Sequence, residues 1–319
     1  MMKKMILIGE PHHNNLGDNM IAVAERKIVK EYFSEYDFYA MPEEKLDICI
    51  DRAQKYINDE DVILFHGGGN LGDTYKIIEN RRRKVIELFP NNKIIILPQT
   101  IYFSNTIDGN IELELTKKIY NSHKNLVMLA REEKSYEFMQ RHFENAKVYL
   151  TPDIVMTMKL QENKNREGAL LVFRNDREKN ISDCAIKKIE DNLFGVYGKT
   201  EYTDMSAGKN VRNVGGEKRK RLLNEKIEQF QTSKMVVTDR LHGMIFAAIT
   251  GTPCIAFGNF NHKVKESHNW LKRLGYIEFC NDIAEFESVF EKIRNVANAE
   301  YDNIFAKEIL LNVLKEEIN

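Results

Sequence analysis

Along the chain, short apolar runs alternate with longer stretches in which apolar residues recur at helical spacing. Residues 5–9, 38–41, 62–66, 93–97, 126–130 and 148–151 read as strands, with helices filling the gaps. This alternation predicts βαβ units and a parallel sheet covered on both faces. A polar stretch at 161–168, after Thr151-Pro152-Asp153, has no periodicity and reads as a linker. The pattern then restarts with strands at 169–173, 201–204, 235–238 and 254–257. The expected fold is α/β, with one Rossmann-like domain over 1–160 and a second over 161–319. Near the end, Ile304, Phe305, Ile309, Leu310, Val313 and Leu314 fall at helical spacing and predict an amphipathic helix, with packing back on the first domain as one option.

Length agrees with this division, because 319 residues exceed what most single cores reach. Charge narrows the partners. With 47 Lys and Arg against 48 Asp and Glu, the net charge is −1, which gives no global attraction to nucleic acid or to an anionic membrane. An anionic ligand would have to be held by local arginines. The basic clusters at 81–84 and 217–226 read as solvated helix faces. Cys49, Cys184, Cys254 and Cys280 make no C-x-x-C spacing and read as reduced, buried thiols, so no metal site is expected. The apolar run after Lys3 and Lys4 is too short for a signal peptide, and no window approaches the roughly 20 apolar residues of a membrane span. A soluble cytoplasmic protein is expected, with peripheral attachment at the inner membrane face left open.

Four polar segments stand where strands end, which is where ligands bind in open α/β sheets. The first, 12–18, contains Asn15 and ends in Asp18 before a helix whose apolar stripe includes Met20, Ile21, Ala24 and Ile28. Asp18 reads equally as a helix cap and as a functional carboxylate. The second is His66-Gly67-Gly68-Gly69-Asn70, where consecutive glycines permit either close ligand approach or a tight structural turn. It lacks the endings of a P-loop and of a dinucleotide fingerprint. In the third, Arg131 leaves a strand as a helix begins, and Arg174 holds the equivalent place in the second half. The fourth runs Asp239-Arg240-Leu241-His242-Gly243 from a strand into an apolar helix. A helix start offers amide donors and partial positive charge to an anion, and Arg240 adds a fork suited to phosphate or carboxylate.

Together, Asn15-Leu16-Gly17-Asp18, the 66–73 segment, Leu97-Pro98-Gln99, the 130–135 segment, Pro152-Asp153, Asp239 to Gly243 and Gly251-Thr252-Pro253 resemble the polysaccharide pyruvyltransferase family. The resemblance implies two Rossmann-like domains in a glycosyltransferase-B-like arrangement with the site in the cleft between them. It implies phosphoenolpyruvate as donor, no cofactor, and a pyruvate ketal formed on a sugar of a surface polysaccharide or its precursor, the acceptor being lipid-linked in one version. By position, Arg240, Leu241, Gly243, Arg174 and Arg131 would bind the donor and His242 would be catalytic. On the acceptor side would stand Asn15, His66, Gly67, Gly68, Gly69, Asn70 and Gln99, with Asp18 orienting or deprotonating a hydroxyl.

The residue chemistry agrees with that donor. Phosphoenolpyruvate carries a carboxylate and a phosphate on three carbons, so its site needs fixed cations and helix-end donors more than an apolar pocket. A transferase using a nucleotide-sugar donor would share the fold and is the first rival. A non-catalytic carbohydrate-binding protein is the second, and the retained Asp239, Arg240 and His242 speak against it.

Overall fold

The computed structural model describes residues 2–174, 180–258, 262–296 and 299–318. The chain forms two compact units, Met1–His13 with Asp18–Ile154 and Ala306–Asn319, and Asn14–Gly17 with Val155–Phe305.

In chain order the first elements are β1 (Lys4–Glu10), α1 (Leu16–Tyr32), β2 (Asp37–Pro42), α2 (Leu46–Ala53), β3 (Val62–Phe65), β4 (Gly68–Gly72), α3 (Lys76–Leu88), β5 (Lys93–Tyr102), α4 (Ile107–Ser122), β6 (Leu126–Ala130), α5 (Glu133–His142) and β7 (Lys147–Leu150). They build a parallel sheet in the order β2-β1-β3-β5-β6-β7. Runs such as Ile94-Ile95-Ile96-Leu97 are buried throughout because helices cover both faces of a parallel sheet. β5 is long enough to pair twice. Its first half lies beside β3 and its second half beside β4, so β3 and β4 form one interrupted line broken at His66-Gly67.

The second unit follows with β8 (Ala169–Val172), α6 (Asp183–Tyr197), β9 (Thr200–Thr203), α7 (Gly216–Gln231), β10 (Met235–Thr238), α8 (Leu241–Ile249), β11 (Cys254–Phe257), α9 (Lys263–Leu271), β12 (Ile277–Cys280) and α10 (Phe286–Ile293). Its parallel sheet runs β12-β11-β10-β8-β9. Leu171, Val237 and Ile255 of the strands pack with Ile189, Leu193, Phe286 and Phe290 of the helices in one core. Each sheet has the doubly wound order of Rossmann-like domains, and each changes winding direction at one place, between β1 and β3 and between β8 and β10. The two-domain α/β class expected from the alternation is thus the one observed.

Several sequence expectations change. β4 was read as a glycine-rich loop, and β12 was not anticipated because Ile277-Glu278-Phe279-Cys280 is too short and mixed to signal a strand. The basic clusters are not wholly solvated: Arg82, Arg83, Arg219 and Lys226 are buried. Arg82 pairs with Glu79, which also accepts from Tyr120 Oη at 2.8 Å, and Arg83 pairs with Glu112 at 2.6 Å. Of the four free cysteines, Cys254 and Cys280 are buried, whereas Cys184 is exposed and Cys49 half-buried. No helix among the described residues is long and apolar enough to cross a membrane.

The final helix, α11 (Ile304–Ile318), lies largely with the first unit. Its Glu317 accepts from Lys93 Nζ at 3.0 Å, Lys147 Nζ at 2.8 Å and Tyr149 Oη at 2.7 Å. Burial opposes the charge, but the bonds from Lys147, Tyr149 and Lys93 outweigh it and bring the Glu317 pKa down to about 2. A carboxylate depressed in the folded state stabilises above its ordinary pKa and loses that contribution as pH falls toward the folded value. Glu317→Gln should therefore lower stability by about 1–3 kcal/mol at neutral pH. Thermal unfolding followed from pH 7 to pH 3 should show the gap between the two proteins shrinking below about pH 4.5.

Candidate active site

Each unit carries its own group of candidate residues, most of them at the winding reversals, with Gln99 on β5 and Arg131 after β6 farther along the first sheet. In the first unit, the break between β3 and β4 puts His66 at the end of β3 beside α1. His66 Nδ1 lies 2.7 Å from Glu25 Oε2, and the other oxygen of Glu25 accepts from Gly67 N at 2.8 Å. Both side chains are almost fully buried, His66 at 4% and Glu25 at 0% exposed. Burial disfavours a charged ring, but Glu25 at contact, helped by Asp18 and Glu10, prevails, and the His66 pKa lies above its ordinary value. Gln99, in the middle of β5, donates to His66 O at 2.8 Å and to Asn70 Oδ1 at 3.2 Å, and Arg82 Nη2 donates to the same Asn70 oxygen at 2.8 Å.

Arg131 leaves β6 in the same unit. Its Nη1 meets Asp153 Oδ2 at 2.8 Å and its Nε donates to Thr100 Oγ1 at 2.8 Å, all within the buried interior. A donor-binding role expected for Arg131 thus has to coexist with a buried ion pair. Asp18 sits in the first turn of α1, where the helix dipole favours a carboxylate, and His13 Nε2 approaches it at 3.6 Å. Asn15 precedes the helix and its Oδ1 accepts from Gly17 N at 2.9 Å, so a side chain three residues before Asp18 already caps this helix start.

In the second unit, β8 and β10 are paired with Val172 opposite Thr238, so Arg174 and Arg240 emerge side by side, each two residues beyond that pair. Asp239 lies between them, fully buried, with Oδ1 accepting from Arg174 N at 2.9 Å. Burial is the main reason its pKa rises to about 6, with Asp204 adding to the rise and the Arg174 amide and the two arginine charges opposing it. Arg240 is extended at the N-cap position of α8, and its Nε and Nη2 each hold one oxygen of Asp204 at 2.8 Å. Burial also lowers Lys226 to about 8, against the pull of Asp204. Leu241 begins α8 and is buried, and a Cβ on Gly243 would overlap Thr238 Oγ1, so that turn of helix is packed tightly onto the strand. His242 is 9% exposed and its ring lies directly against Gly17, where any Cβ would overlap it. Leu16 N donates to Met205 O at 2.8 Å, and this bond sets the Asn14–Gly17 segment beside the residues that follow Asp204.

Structure therefore groups Asp18, His66 to Asn70, Gln99 and Arg131 in the first unit, and Asn15, Arg174, Arg240, Leu241, His242 and Gly243 in the second. Sequence reasoning missed Glu25, Asp204 and Lys226, and it had Pro152-Asp153 as a motif without the pairing of Asp153 to Arg131. Glu25 had a readable signal, since it stands four residues after Ile21 and three before Ile28, on the apolar stripe of α1. Asp204 ends a predicted strand and could have been paired with an arginine only through the fold.

The polysaccharide pyruvyl transferase family model matches residues 15–262, more than half of the chain, and the chain belongs to that family. "General stress protein 30" of Bacillus subtilis (strain 168) is 35% identical over 297 residues, which span 91% of this chain and 85% of that protein. "Pyruvyl transferase 1" of Schizosaccharomyces pombe is 29% identical over 287 residues, covering 85% and 70% respectively. Among solved structures, the UDP-GlcNAc 2-epimerase of Methanocaldococcus jannaschii superposes with a TM-score of 0.54 at 13% identity over 99% of this chain and 100% of that one, a likeness of fold. The protein is accordingly an enzyme, a polysaccharide pyruvyl transferase.

Two outcomes follow from the second-unit geometry. Asp239 has a folded pKa above its ordinary 3.8, so it favours the folded state below about pH 4 and this contribution is lost as pH rises through about 6. Asp239→Asn keeps the acceptor for Arg174 N, and unfolding measured across pH 4–7 should find the variant gaining on the parent as pH increases; a constant difference would refute the assignment. Gly17→Ala should displace the His242 ring while adding helix propensity, which is worth up to about 1 kcal/mol. Because the added Cβ also meets His242 Cβ, overpacking should cost about 1–3 kcal/mol and outweigh that gain, so the melting temperature of Gly17→Ala should fall below the parent's.

Proposed function

We propose that the enzyme takes the pyruvyl group from phosphoenolpyruvate, joins it to a saccharide as a ketal and releases phosphate. The observation that supports this reading most is the emergence of Arg174 and Arg240 side by side from β8 and β10 at the winding reversal, at the start of α8. Two guanidinium groups and a helix N-terminus suit a small ligand bearing both carboxylate and phosphate. Asp204 fixes the plane of the Arg240 guanidinium, and the donor anion has to share that group with it.

In the proposed reaction His242 gives a proton to the methylene carbon of the donor, which becomes a methyl group, and positive charge develops at the adjacent carbon. A sugar hydroxyl attacks that carbon and loses its proton to Asp18. Phosphate leaves with its bonding pair, a second hydroxyl attacks and closes the ketal ring, its proton ends on the departing phosphate, and the proton taken by Asp18 is released to solvent, from which His242 is recharged. The net reaction is donor plus two hydroxyls to ketal plus phosphate, which balances with no redox partner and calls on no cofactor. A cytoplasmic enzyme acting on a lipid-linked acceptor at the inner membrane face belongs to the same reading.

The test is phosphate release from phosphoenolpyruvate with a panel of saccharide acceptors, with mass analysis for the pyruvyl increment and a nucleotide panel as the rival donor class. His242→Ala should lose about 10²–10⁴-fold in turnover while keeping donor affinity. Arg240→Ala should weaken donor binding by about 2–5 kcal/mol. Unchanged phosphoenolpyruvate affinity in Arg240→Ala, or stabilisation by nucleotides alone, would overturn the donor assignment.

A further inference from the structure

We propose that Glu25 is a positioning residue for the transfer reaction, setting the backbone at the His66-Gly67 break from which Gly68 and Gly69 of β4 run past Asp18 and Arg131. The inference rests on the acceptor-side reading of Asp18 given above. Its basis is a pair of contacts made by one carboxylate. Glu25 Oε2 holds the His66 ring at 2.7 Å and Oε1 holds the Gly67 amide at 2.8 Å, so the last side chain of one strand segment and the amide that follows it share a single anchor.

The break and the first residues of β4 are packed closely at Gly67 and Gly69. A Cβ on Gly67 would come within 2.9 Å of Pro98 O and 3.5 Å of Glu25 Oε1. Gly68 has φ +123°, and a Cβ there would stand 3.8 Å from Asp18 Oδ1, while one on Gly69 would stand 3.0 Å from Arg131 Nη2. The glycine run is therefore hemmed in by Pro98 O at Gly67 and by Arg131 at Gly69, with Asp18 at ordinary contact distance beside Gly68. This explains the glycines without any ligand, and it means that a displacement of Gly67 moves the backbone against which both side chains rest.

Burial makes the anchor costly. An ion pair at 4% and 0% exposure loses far more hydration than an exposed one, and hydrophobic replacements of such pairs are often neutral or stabilising. A geometric duty accounts for its presence better than stability does. The charged groups around His66 are Glu25 and Asp18 from α1 and Glu10 from β1, with Glu43, Arg81 and Arg82 lining the small cavity that His66 also lines. Carboxylates dominate at closest range, which is why the ring's pKa lies above that of an ordinary histidine.

Glu25→Gln retains the size and an oxygen for the Gly67 amide but removes the charge on His66. In the parent, the His66 ring should titrate above an ordinary histidine when followed by ¹⁵N NMR, and in Glu25→Gln it should be neutral at pH 7, with shifted Gly67–Gly69 amide resonances. Acceptor KM should rise and kcat fall, each by about tenfold or more, with donor KM unmoved and the acidic limb of the pH–rate profile displaced. Glu25→Asp, which shortens the anchor but keeps its charge, should restore the His66 titration and part of the rate. A lower melting temperature in Glu25→Gln with parental kinetics and pH profile would overturn the proposal, as would an unchanged His66 titration. The NMR readout needs no substrate, so it decides the anchoring even if phosphoenolpyruvate proves not to be the donor or Asp18→Asn proves fully active.

Discussion

The candidate site depends on one constraint of parallel sheets: neighbouring strands that wind in opposite directions leave a gap at their carboxyl ends, and only there can the chain present polar groups without burying them unpaired. Each sheet of this protein has one such place. β1 and β3 define it in the first unit and β8 and β10 in the second; His66, Arg174 and Asp239 follow the ends of β3, β8 and β10 directly or one residue on, while Gln99 and Arg131 belong to β5 and the end of β6. Pairing register then fixes detail. Because Val172 faces Thr238, Arg174 and Arg240 are neighbours whatever their side chains prefer.

Charge near these strand ends is held by partners. Arg131 has Asp153, Arg240 has Asp204, His66 has Glu25 and Arg82 has Glu79. Their burial differs, and so does what they can do. Arg131 and Asp153 are 3% and 1% exposed, so breaking that pair would strand a charge in the interior. Arg240 and Asp204 are 20% and 30% exposed, which leaves solvent to compensate when a competing anion arrives. On these grounds Arg240 is the more exchangeable of the two arginines, and Arg131 contributes field and shape.

Much of this was legible in the chain. The strand runs at 126–130, 235–238 and 254–257 fall on observed strands to the residue, because apolar β-branched segments bounded by polar turns leave little alternative. The polar segments 12–18, 66–70, 130–135 and 239–243 do follow observed strands, as the sequence pattern placed them. What could not be read were partners distant in sequence: Glu25 with His66 across 41 residues, Asp204 with Arg240 across 36 and Arg131 with Asp153 across 22. The basic clusters misled for the same reason. A lysine on a polar helix reads as solvated until another element covers it, as the β9 end covers Lys226 through Thr203.

The glycines show how one motif can serve two readings. Read alone, Gly67 to Gly69 permit either close approach of a ligand or a tight structural turn. In the structure Gly17 makes room for the His242 ring, Gly67 for Pro98 O and Gly69 for the Arg131 guanidinium, while Gly68 takes φ +123°. Where side chains are absent neighbouring ones fill the space, which lets imidazole and guanidinium groups reach the main chain itself. Since main chain at a strand end is held by the ladder behind it, groups packed directly on it inherit that rigidity, with fewer free torsions than a contact between two long side chains would leave. The His242 ring against Gly17 and the Arg131 guanidinium against Gly69 are two groups that this sequence fixes by packing onto glycine.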